Sequence, residues 1–440
     1  MSAAVPIGNL SDSQTILCIV SLLIAPLACA GLALINAGLG RARSAAHTMT
    51  AALCVMAVAA CVYVICGRSW QGFAGEVSRV VIIGSKASGK PWNWLGASLP
   101  FFTGLSFDGS PALLAAWMGM IGAAFAGLIP LGSGSERWRL GSICISTAVL
   151  AGWTFPLFAH WAWGGGWLAQ LGVNYGLGMG YVDVGGSGTI HVLGGLTALS
   201  IAWLLGPRKG KFGFDGMPMA IPGHNAVYIL FGCLLALVGW TGLNAAGALL
   251  FAAVEPGRLA LVAVNTILGA ASAGLGAAAI TRVRFGKPDS SLTANGWIGG
   301  LVAVSATCAF LPPAATILIG LVAGTLVAFC VEQFELHLDI DDPGGSISVH
   351  TVAGIWGLLA GGALGRFPGG GDGQFLAQVI GVATLIGFVL PLTFGLNWLV
   401  NRFVGLRVAP DAERQGMDLA ELGAGAYPEF VTHTDDFMQR

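Results

Sequence analysis

Long apolar segments alternate with short polar ones along almost the whole chain. A helix needs about 20 mostly apolar residues to cross the hydrocarbon core of a bilayer. Eleven segments meet this condition, near residues 14–37, 48–66, 111–131, 140–164, 187–206, 225–251, 258–281, 296–311, 313–333, 349–365 and 376–400. The pattern predicts an all-α membrane protein with a transmembrane domain over residues 1–400 and a polar tail over 401–440. The mixed segment 67–110 is expected to be a loop outside the bilayer.

The composition supports this class. Hydrophobic residues make up 55% of the chain and charged residues 9%, whereas soluble proteins have about 25% charged residues. The 68 glycines favour close contact between helices in lipid. The nine cysteines are scattered through apolar segments and predict neither a disulfide framework nor a metal site, and no cofactor or nucleic-acid partner is expected. The first apolar segment is longer than a signal-peptide core, so we expect a retained helix.

The basic residues predict the orientation. An odd number of helices puts the termini on opposite sides, and Lys and Arg are enriched in cytoplasmic loops. The loops after segments one, three, five and seven carry ten basic residues, and the alternate loops carry six. The N-terminus is therefore expected outside and the tail in the cytoplasm, in a protein of the cell inner (plasma) membrane.

One motif occurs twice. The stretches DVGGSGTIH (Asp183 to His191) and DPGGSISVH (Asp342 to His350) share D-x-G-G-S-x-x-x-H, and we call them the histidine frames. Five predicted helices separate equivalent points, so the two frames enter the membrane from opposite sides. This predicts an inverted five-plus-five helix repeat, an arrangement that places a pathway between the halves in many transporters.

The frames also carry candidate chemistry. Ionisable groups inside the membrane are costly and usually face a cavity or the bundle interior, although His191 and His350 could also be two separate structural histidines. Two facing imidazoles can share a proton, because one ring donates while the other accepts. Asp183 either attracts a cation or caps the helix that follows it, and capping is the favoured interpretation for Asp342.

Two tryptophan-containing stretches have alternative interpretations. The stretch AHWAWGGGW, which contains Trp163, fits an interfacial aromatic belt or a cation–π contact. Trp240 and Asn244 share one face of a helix, which fits packing or a pore wall. A membrane enzyme or metal site is disfavoured, because no cluster of Cys, Asp or Glu joins the two histidines at ligand spacing.

These motifs, together with GLNAAGALL, IDDPGGSISVHTVAGIWG and the tail stretch GLRVAPDAERQGMDLAELGAGAYPEF, resemble the ammonium transporter family. The resemblance implies a homotrimer, with an eleven-helix fold and a narrow apolar pore in each subunit. It implies that His191 and His350 are the paired pore histidines and that Asp183 and Trp163 recruit and deprotonate ammonium. The implied pore lining consists of Ile121, Trp240, Leu243, Asn244 and Gly247.

The resemblance further implies ammonium or ammonia transport rather than enzyme activity. Moving bare NH4+ into low dielectric would cost tens of kcal/mol, whereas neutral NH3 has no such barrier. We therefore expect NH4+ to be bound, NH3 to cross and the proton to pass separately. The tail is expected to contact other subunits and to be a target for a PII-type signalling protein.

The sequence departs from the family at the pore entrance. Ile121 or Gly122 and Leu243 stand where the family has two phenylalanines. Gly247 replaces a serine of the recruitment site, and Gly345 replaces an aspartate before the second histidine. The missing phenylalanines motivate the alternative of an ammonium sensor with weak or no conduction. Phe125 lies close enough in sequence to replace a missing ring.

Overall fold

A computed structural model describes residues 10–84 and 89–428. Within these residues, ten helices are long and apolar enough to cross a membrane, and a shorter helix lies between the seventh and the eighth of them. In chain order they are α1 (Asp12–Leu39), α2 (Ala42–Gln71), α3 (Pro111–Gly134), α4 (Leu140–Ala162), α5 (Ser187–Leu205), α6 (Ala226–Phe251), α7 (Pro256–Phe285), α8 (Ser290–Ser305), α9 (Pro313–Leu338), α10 (Ile347–Leu364) and α11 (Gln374–Phe403). Shorter helical segments span Leu171–Tyr175, Pro410–Gln415 and Asp418–Leu422.

Short polar side chains begin several of these helices. Ser11 forms a capping box with Gln14 at the start of α1. The side chain of Asn225 accepts the backbone N–H of Tyr228 at 3.0 Å in α6, and that of Asp289 accepts the N–H of Leu292 at 2.8 Å in α8. These caps satisfy N–H groups that have no partner within the helix, which fixes where each helix begins.

The predicted bounds of the eighth helix, 296–311, are wrong. Helix α8 ends at Ser305, so the count of eleven depends on a helix of 16 residues. The end of α8 is bonded to the first histidine frame: the N–H of Gly185 donates to the Ser305 carbonyl at 2.9 Å, and that of Val184 donates to the Ala306 carbonyl at 3.0 Å. Because these carbonyls already have partners, the chain can leave the helix there.

The segment 67–110 is more regular than predicted. It contains two antiparallel strands, β1 (Ser78–Ile83) and β2 (Lys90–Gly96). Strand β2 is bonded to the end of α4, where the indole N–H of Trp161 donates to the Trp94 carbonyl at 2.8 Å. The Asn93 side-chain amide also donates to the Gly165 carbonyl at 3.1 Å. The fold is therefore helical with one added strand pair.

Equivalent helices of the two predicted halves make equivalent contacts. Helix α3 packs on α5 as α8 packs on α10, and α2 packs on α3 as α7 packs on α8. Helices α5 and α10, which carry the histidine frames, contact each other between the halves. This contact pattern agrees with a five-plus-five repeat in which the frames meet at the centre.

The tail packs against loops at one end of the bundle, which we call the tail side. The N–H of Val408 donates to the Arg137 carbonyl at 3.1 Å, and the Glu413 carboxylate accepts the N–H of Lys209 at 2.6 Å. The Asp418 carboxylate accepts the N–H of His47 at 2.7 Å near the start of α2. The strand pair and segments 163–186 and 306–312 lie at the opposite end, which we call the vestibule side.

Candidate functional site

The two histidine frames build the same local structure twice. Gly186 and Gly345, at equivalent positions, have φ angles of 86° and 65°. This left-handed conformation is readily adopted by glycine, which has no Cβ. A π-helical turn follows in each frame, over Ser187–Val192 and Ile347–Val352, and contains the histidine. Such turns are rare in proteins as a whole, but those that occur are often found at functional sites.

The two frame aspartates have different surroundings. One oxygen of Asp183 accepts the N–H groups of Gly188 and Thr189 and the Thr189 hydroxyl, at 3.1, 2.7 and 2.7 Å. Its other oxygen, Oδ1, is buried and has no hydrogen-bond partner among the described residues. Asp342 uses both oxygens, because one accepts the Ser133 hydroxyl and the other the Ile347 N–H, each at 2.7 Å. Asp183 thus caps its segment and keeps one acceptor free, so its two predicted roles are compatible.

Burial changes the protonation of Asp183. It raises the pKa of this carboxyl to about 6, against the opposing effect of the hydrogen bonds from Thr189, Gly188 and Ser187. A carboxyl with this pKa is mostly charged at neutral pH and becomes neutral in mildly acidic solution.

The structure brings His191 and His350 together, fully buried, with ring centroids 5.4 Å apart and planes 25° from parallel. Both ring nitrogens of His191, and Nδ1 of His350, lack a hydrogen-bond partner among the described residues. Buried polar groups are rarely left in this state. These ring nitrogens therefore have unused hydrogen-bonding capacity inside the bundle.

Aromatic rings form one wall beside the pair. The Trp240 ring stacks on His191 at 4.5 Å, and its indole N–H donates to the Ser305 hydroxyl at 2.8 Å. Phe125 packs edge-on against His191 at 5.1 Å and against Trp240 at 4.9 Å. Phe125 therefore lies at the level of the histidines.

The other predicted pore residues are also buried. Leu243 and Asn244 lie on the same helix as Trp240. The Asn244 amide donates to the Thr266 hydroxyl at 2.9 Å, while its oxygen has no partner among the described residues. Ile121 is buried on α3.

A cavity of about 1040 Å³ opens at the vestibule side, and Trp163 and Asp183 line it. The indole N–H of Trp163 donates to the backbone carbonyl of Asp183 at 2.7 Å, so the two residues are held together. The other side chains of interest in the lining are Tyr181, Phe251 and Phe310. His191 and His350 are not among the described residues that line the cavity. The site thus consists of an open mouth and a separate buried histidine pair.

Rings from unexpected positions pack against Trp163 at the entrance. Phe251 stacks on Trp163 with centroids 4.7 Å apart and planes 5° from parallel, and Phe155 meets Trp163 edge-on at 6.3 Å. A Cβ built on Gly122 would lie 3.0 Å from the Phe155 ring and 3.3 Å from Ile190. Phe155 and Ile190 therefore fill the space that a larger side chain at Gly122 would need.

The glycine at 247 has a local cause as well. A Cβ at this position would collide with the carbonyl oxygen of Val184 and lie 3.0 Å from the Met118 side chain. The backbone of the first histidine frame therefore occupies the space of the serine that the family resemblance implies there.

Sequence reasoning missed Phe251, Phe155 and Thr189. One signal was available for Phe251: it lies four residues after Gly247 and eight after Leu243, and this spacing places the three residues on one helical face. The roles of Phe155 and Thr189 depend on contacts across the bundle and within the π turn, which no local pattern indicates.

Comparison with known proteins identifies the family. The model of the Ammonium Transporter Family matches residues 15–427. Ammonium transporter Amt2 of Archaeoglobus fulgidus is 35% identical over 428 residues, covering 91% of this chain and 85% of that protein. The ammonium transporter of Bacillus subtilis is 29% identical over 410 residues, covering 91% and 94%.

Solved structures share the fold. One described as a sensor Amt protein has a TM-score of 0.81 at 25% identity and covers 93% of this chain and 98% of its own. Mep2 of Candida albicans has a TM-score of 0.76 at 25% identity and covers 97% and 92%. The apolar helices and the family match indicate a multi-pass membrane protein. The chain belongs to the ammonium transporter family.

Proposed function

We propose that this chain carries ammonium nitrogen across the membrane by binding NH4+ at the vestibule, deprotonating it and passing NH3 through the pore. One observation carries the proposal. Asp183 lines an open cavity and keeps a buried oxygen without a hydrogen-bond partner among the described residues. The neighbouring bundle interior holds two facing histidines whose ring nitrogens also lack partners there. This arrangement pairs a cation-attracting mouth with a buried path for neutral molecules and protons.

Aromatic and anionic groups together suit NH4+ at the mouth. A ring face attracts a cation by about 0.5–1 kcal/mol when exposed and by about 2 kcal/mol when desolvated. The stacked face of Trp163 is covered by Phe251, which is itself partly exposed at the cavity. In this proposal Phe251 presents a ring to the cation, Trp163 supports it, and Asp183 supplies the charge.

The interior suits NH3 better than NH4+. The rings of Phe125 and Trp240 lie against His191, and Leu243 is buried nearly one turn further along the helix of Trp240. These side chains cannot replace the hydration of a cation, so the proton must leave before the nitrogen crosses. His191 and His350 then relay the proton, because neutral imidazoles donate at one nitrogen and accept at the other.

Currents on a solid-supported membrane test the proposal. The purified protein, reconstituted in liposomes, should give an ammonium current that is lost in Asp183→Ala and in the double variant His191→Leu with His350→Leu. The exposed His337 provides a matched control, and His337→Leu should retain the current. An unchanged current in the Asp183 or the double histidine variant would reject the mechanism.

The proposed assembly is a homotrimer in the inner (plasma) membrane of the cell. The N-terminus lies outside and the tail lies in the cytoplasm. The basic loops and the tail contacts with Arg137 and Lys209 support a common tail side. The tail is proposed to bind a PII-type signalling protein there. Native mass spectrometry should give three copies per particle, and a monomeric particle would contradict the assembly.

A sensor with weak conduction is the second candidate. The solved structure of a sensor Amt protein superposes well on this chain, and the family rings are absent at Gly122 and Leu243. Saturable ammonium binding by calorimetry without any current in the same liposomes would favour sensing. Binding together with a current favours transport.

A further inference from the structure

Strand β1 exposes an unbroken row of aliphatic side chains. Val80, Val81, Ile82 and Ile83 are between 47 and 60% exposed, although successive side chains of a strand point to opposite faces. Both faces of β1 are therefore open and apolar. Monomeric proteins rarely leave such a strand uncovered, because it invites association with another surface.

Strand β2 fixes this pair beside the helices that cross the membrane. The Trp94 ring meets Trp161 at 5.1 Å and Phe388 at 6.4 Å. Phe388 lies in the π-helical turn Leu385–Val389, well inside the 30-residue helix α11, next to the exposed Ile386. Strand β2 thus lies beside α11, a helix long and apolar enough to cross a membrane.

Tryptophans connect the strand pair to the vestibule-side end of the bundle. Trp92 stacks on Trp167 at 4.3 Å and lies 6.1 Å from Trp94. Tryptophan is enriched where the acyl chains meet the headgroups of a bilayer. The aliphatic surface of β1 therefore continues an aromatic cluster of the type found at that level.

The backbone of β1 limits how deeply the strand pair can enter the bilayer. Among the described residues β1 pairs only with β2, so its other edge has no strand partner. An open sheet edge is not tolerated in the hydrocarbon core, whereas headgroups and their water can satisfy it. Arg79 and Lys90 are exposed on the two strands and can meet lipid phosphates at this level.

We propose that the β1–β2 pair is an interfacial anchor, which inserts the aliphatic side chains of β1 into the vestibule-side leaflet and contacts anionic headgroups through Arg79 and Lys90. The partner is the lipid surface. The proposal is independent of ammonium transport, although Ser78 and Asn93 of the strand pair also line the vestibule cavity.

Photo-crosslinking tests the anchor. The photoreactive residue p-benzoyl-phenylalanine replaces Val81 or Ile82 in the full chain, reconstituted in phosphatidylethanolamine and phosphatidylglycerol vesicles. Two matched positions serve as references: the exposed Ile386 on α11, and the exposed Phe214 in the tail-side loop. After illumination, mass spectrometry should find lipid adducts at positions 81 and 82. Their yield should equal that at position 386 and exceed that at position 214.

Two results would overturn the proposal. A chain-to-chain adduct at positions 81 and 82 would assign the surface to a second copy of this protein. Lipid adducts no more frequent than at position 214 would show that β1 lies in water. Ammonium currents of the same vesicles give a separate measure of folding and function, so a failed anchor is distinguishable from a failed transporter.

Discussion

At the scale of single residues, Asp183 differs from its counterpart Asp342 by one unoccupied oxygen. Three hydrogen bonds hold the other oxygen of Asp183, so the carboxyl group has a fixed orientation beside the cavity that the residue lines. The charge at the mouth therefore depends on pH without any movement of the chain.

Transport should decrease in mild acid, because Asp183 loses the charge that attracts ammonium. Burial raises the pKa of Asp183 to about 6, so the carboxylate is charged above this pH and neutral below it. Ammonium currents at fixed ammonium concentration should fall as pH decreases from 7 to 5. The variant Asp183→Asn should have a low current without this pH dependence. A wild-type current that is constant across this range would contradict the assignment.

Phe251 should contribute to cation affinity. Replacement by Leu keeps an apolar side chain and removes the ring face, which costs about 0.5–2 kcal/mol of binding and raises the KM for ammonium roughly 2- to 30-fold. Methylammonium uptake and its competition by potassium measure this effect. Phe251→Tyr keeps the ring and is the control. If the KM is normal in Phe251→Leu and raised in Trp163→Leu, the cation–π contact is made by Trp163 instead.

At the scale of elements, the histidine frames show how far the sequence predicts the site. The repeated motif predicted two equivalent helix entries, and the structure shows equivalent glycine conformations and π-helical turns. The C-terminal end of α8 was not predictable, because it depends on hydrogen bonds from Val184 and Gly185, which lie far away in the sequence.

Helix α6 gives an unusual prediction at Gly247. Introducing the serine that the family resemblance implies should reduce transport, because its Cβ would collide with the Val184 carbonyl. Overpacking of this kind costs about 1–3 kcal/mol. The ammonium current and the thermal unfolding temperature of Gly247→Ser should both be lower than those of the wild type. Gly395→Ser on α11 is the control, since a Cβ there meets open space. Faster transport in Gly247→Ser would show that the frame backbone can move aside.

At the scale of the whole molecule, buried charges connect the loops of the tail side. Arg208 contacts Asp341 at 2.9 Å and Glu136 at 2.7 Å, and Glu136 also pairs with Arg41. Although burial alone would raise it, the neighbouring Arg137 and Arg208 lower the pKa of Asp341 below its ordinary value. The network joins the loops after α1, α3, α5 and α9.

Removing one member of this network should destabilise the fold. Asp341→Asn removes the carboxylate that pairs with Arg137 and leaves Arg208 with Glu136 alone, which is expected to cost about 3–5 kcal/mol. Because the pKa of Asp341 is lowered in the fold, its stabilisation is present above the ordinary pKa and lost as pH falls. Thermal unfolding in detergent measures both effects. Asp411→Asn breaks an exposed pair and is the control; equal losses in both variants would contradict a special role for the network.

The sequence predicted much of the architecture and less of the entrance. The hydrophobic segments predicted the helices, and the repeated motif predicted that His191 and His350 lie close together. The β1–β2 pair was missed because its apolar residues lie in a mixed segment. Phe155 was missed because its position depends on packing across the bundle, in the space left by Gly122.

The unequal aspartates have a consequence for the direction of flux. Among the described residues, both oxygens of Asp342 accept hydrogen bonds, and of the two frame aspartates only Asp183 keeps an oxygen without a partner, so the pore should rectify. With equal and opposite ammonium gradients, entry from the vestibule side should saturate at lower concentration than entry from the tail side. Vesicles sorted by orientation measure this difference. Asp183→Asn should make the two directions alike, since it removes the charge that distinguishes them.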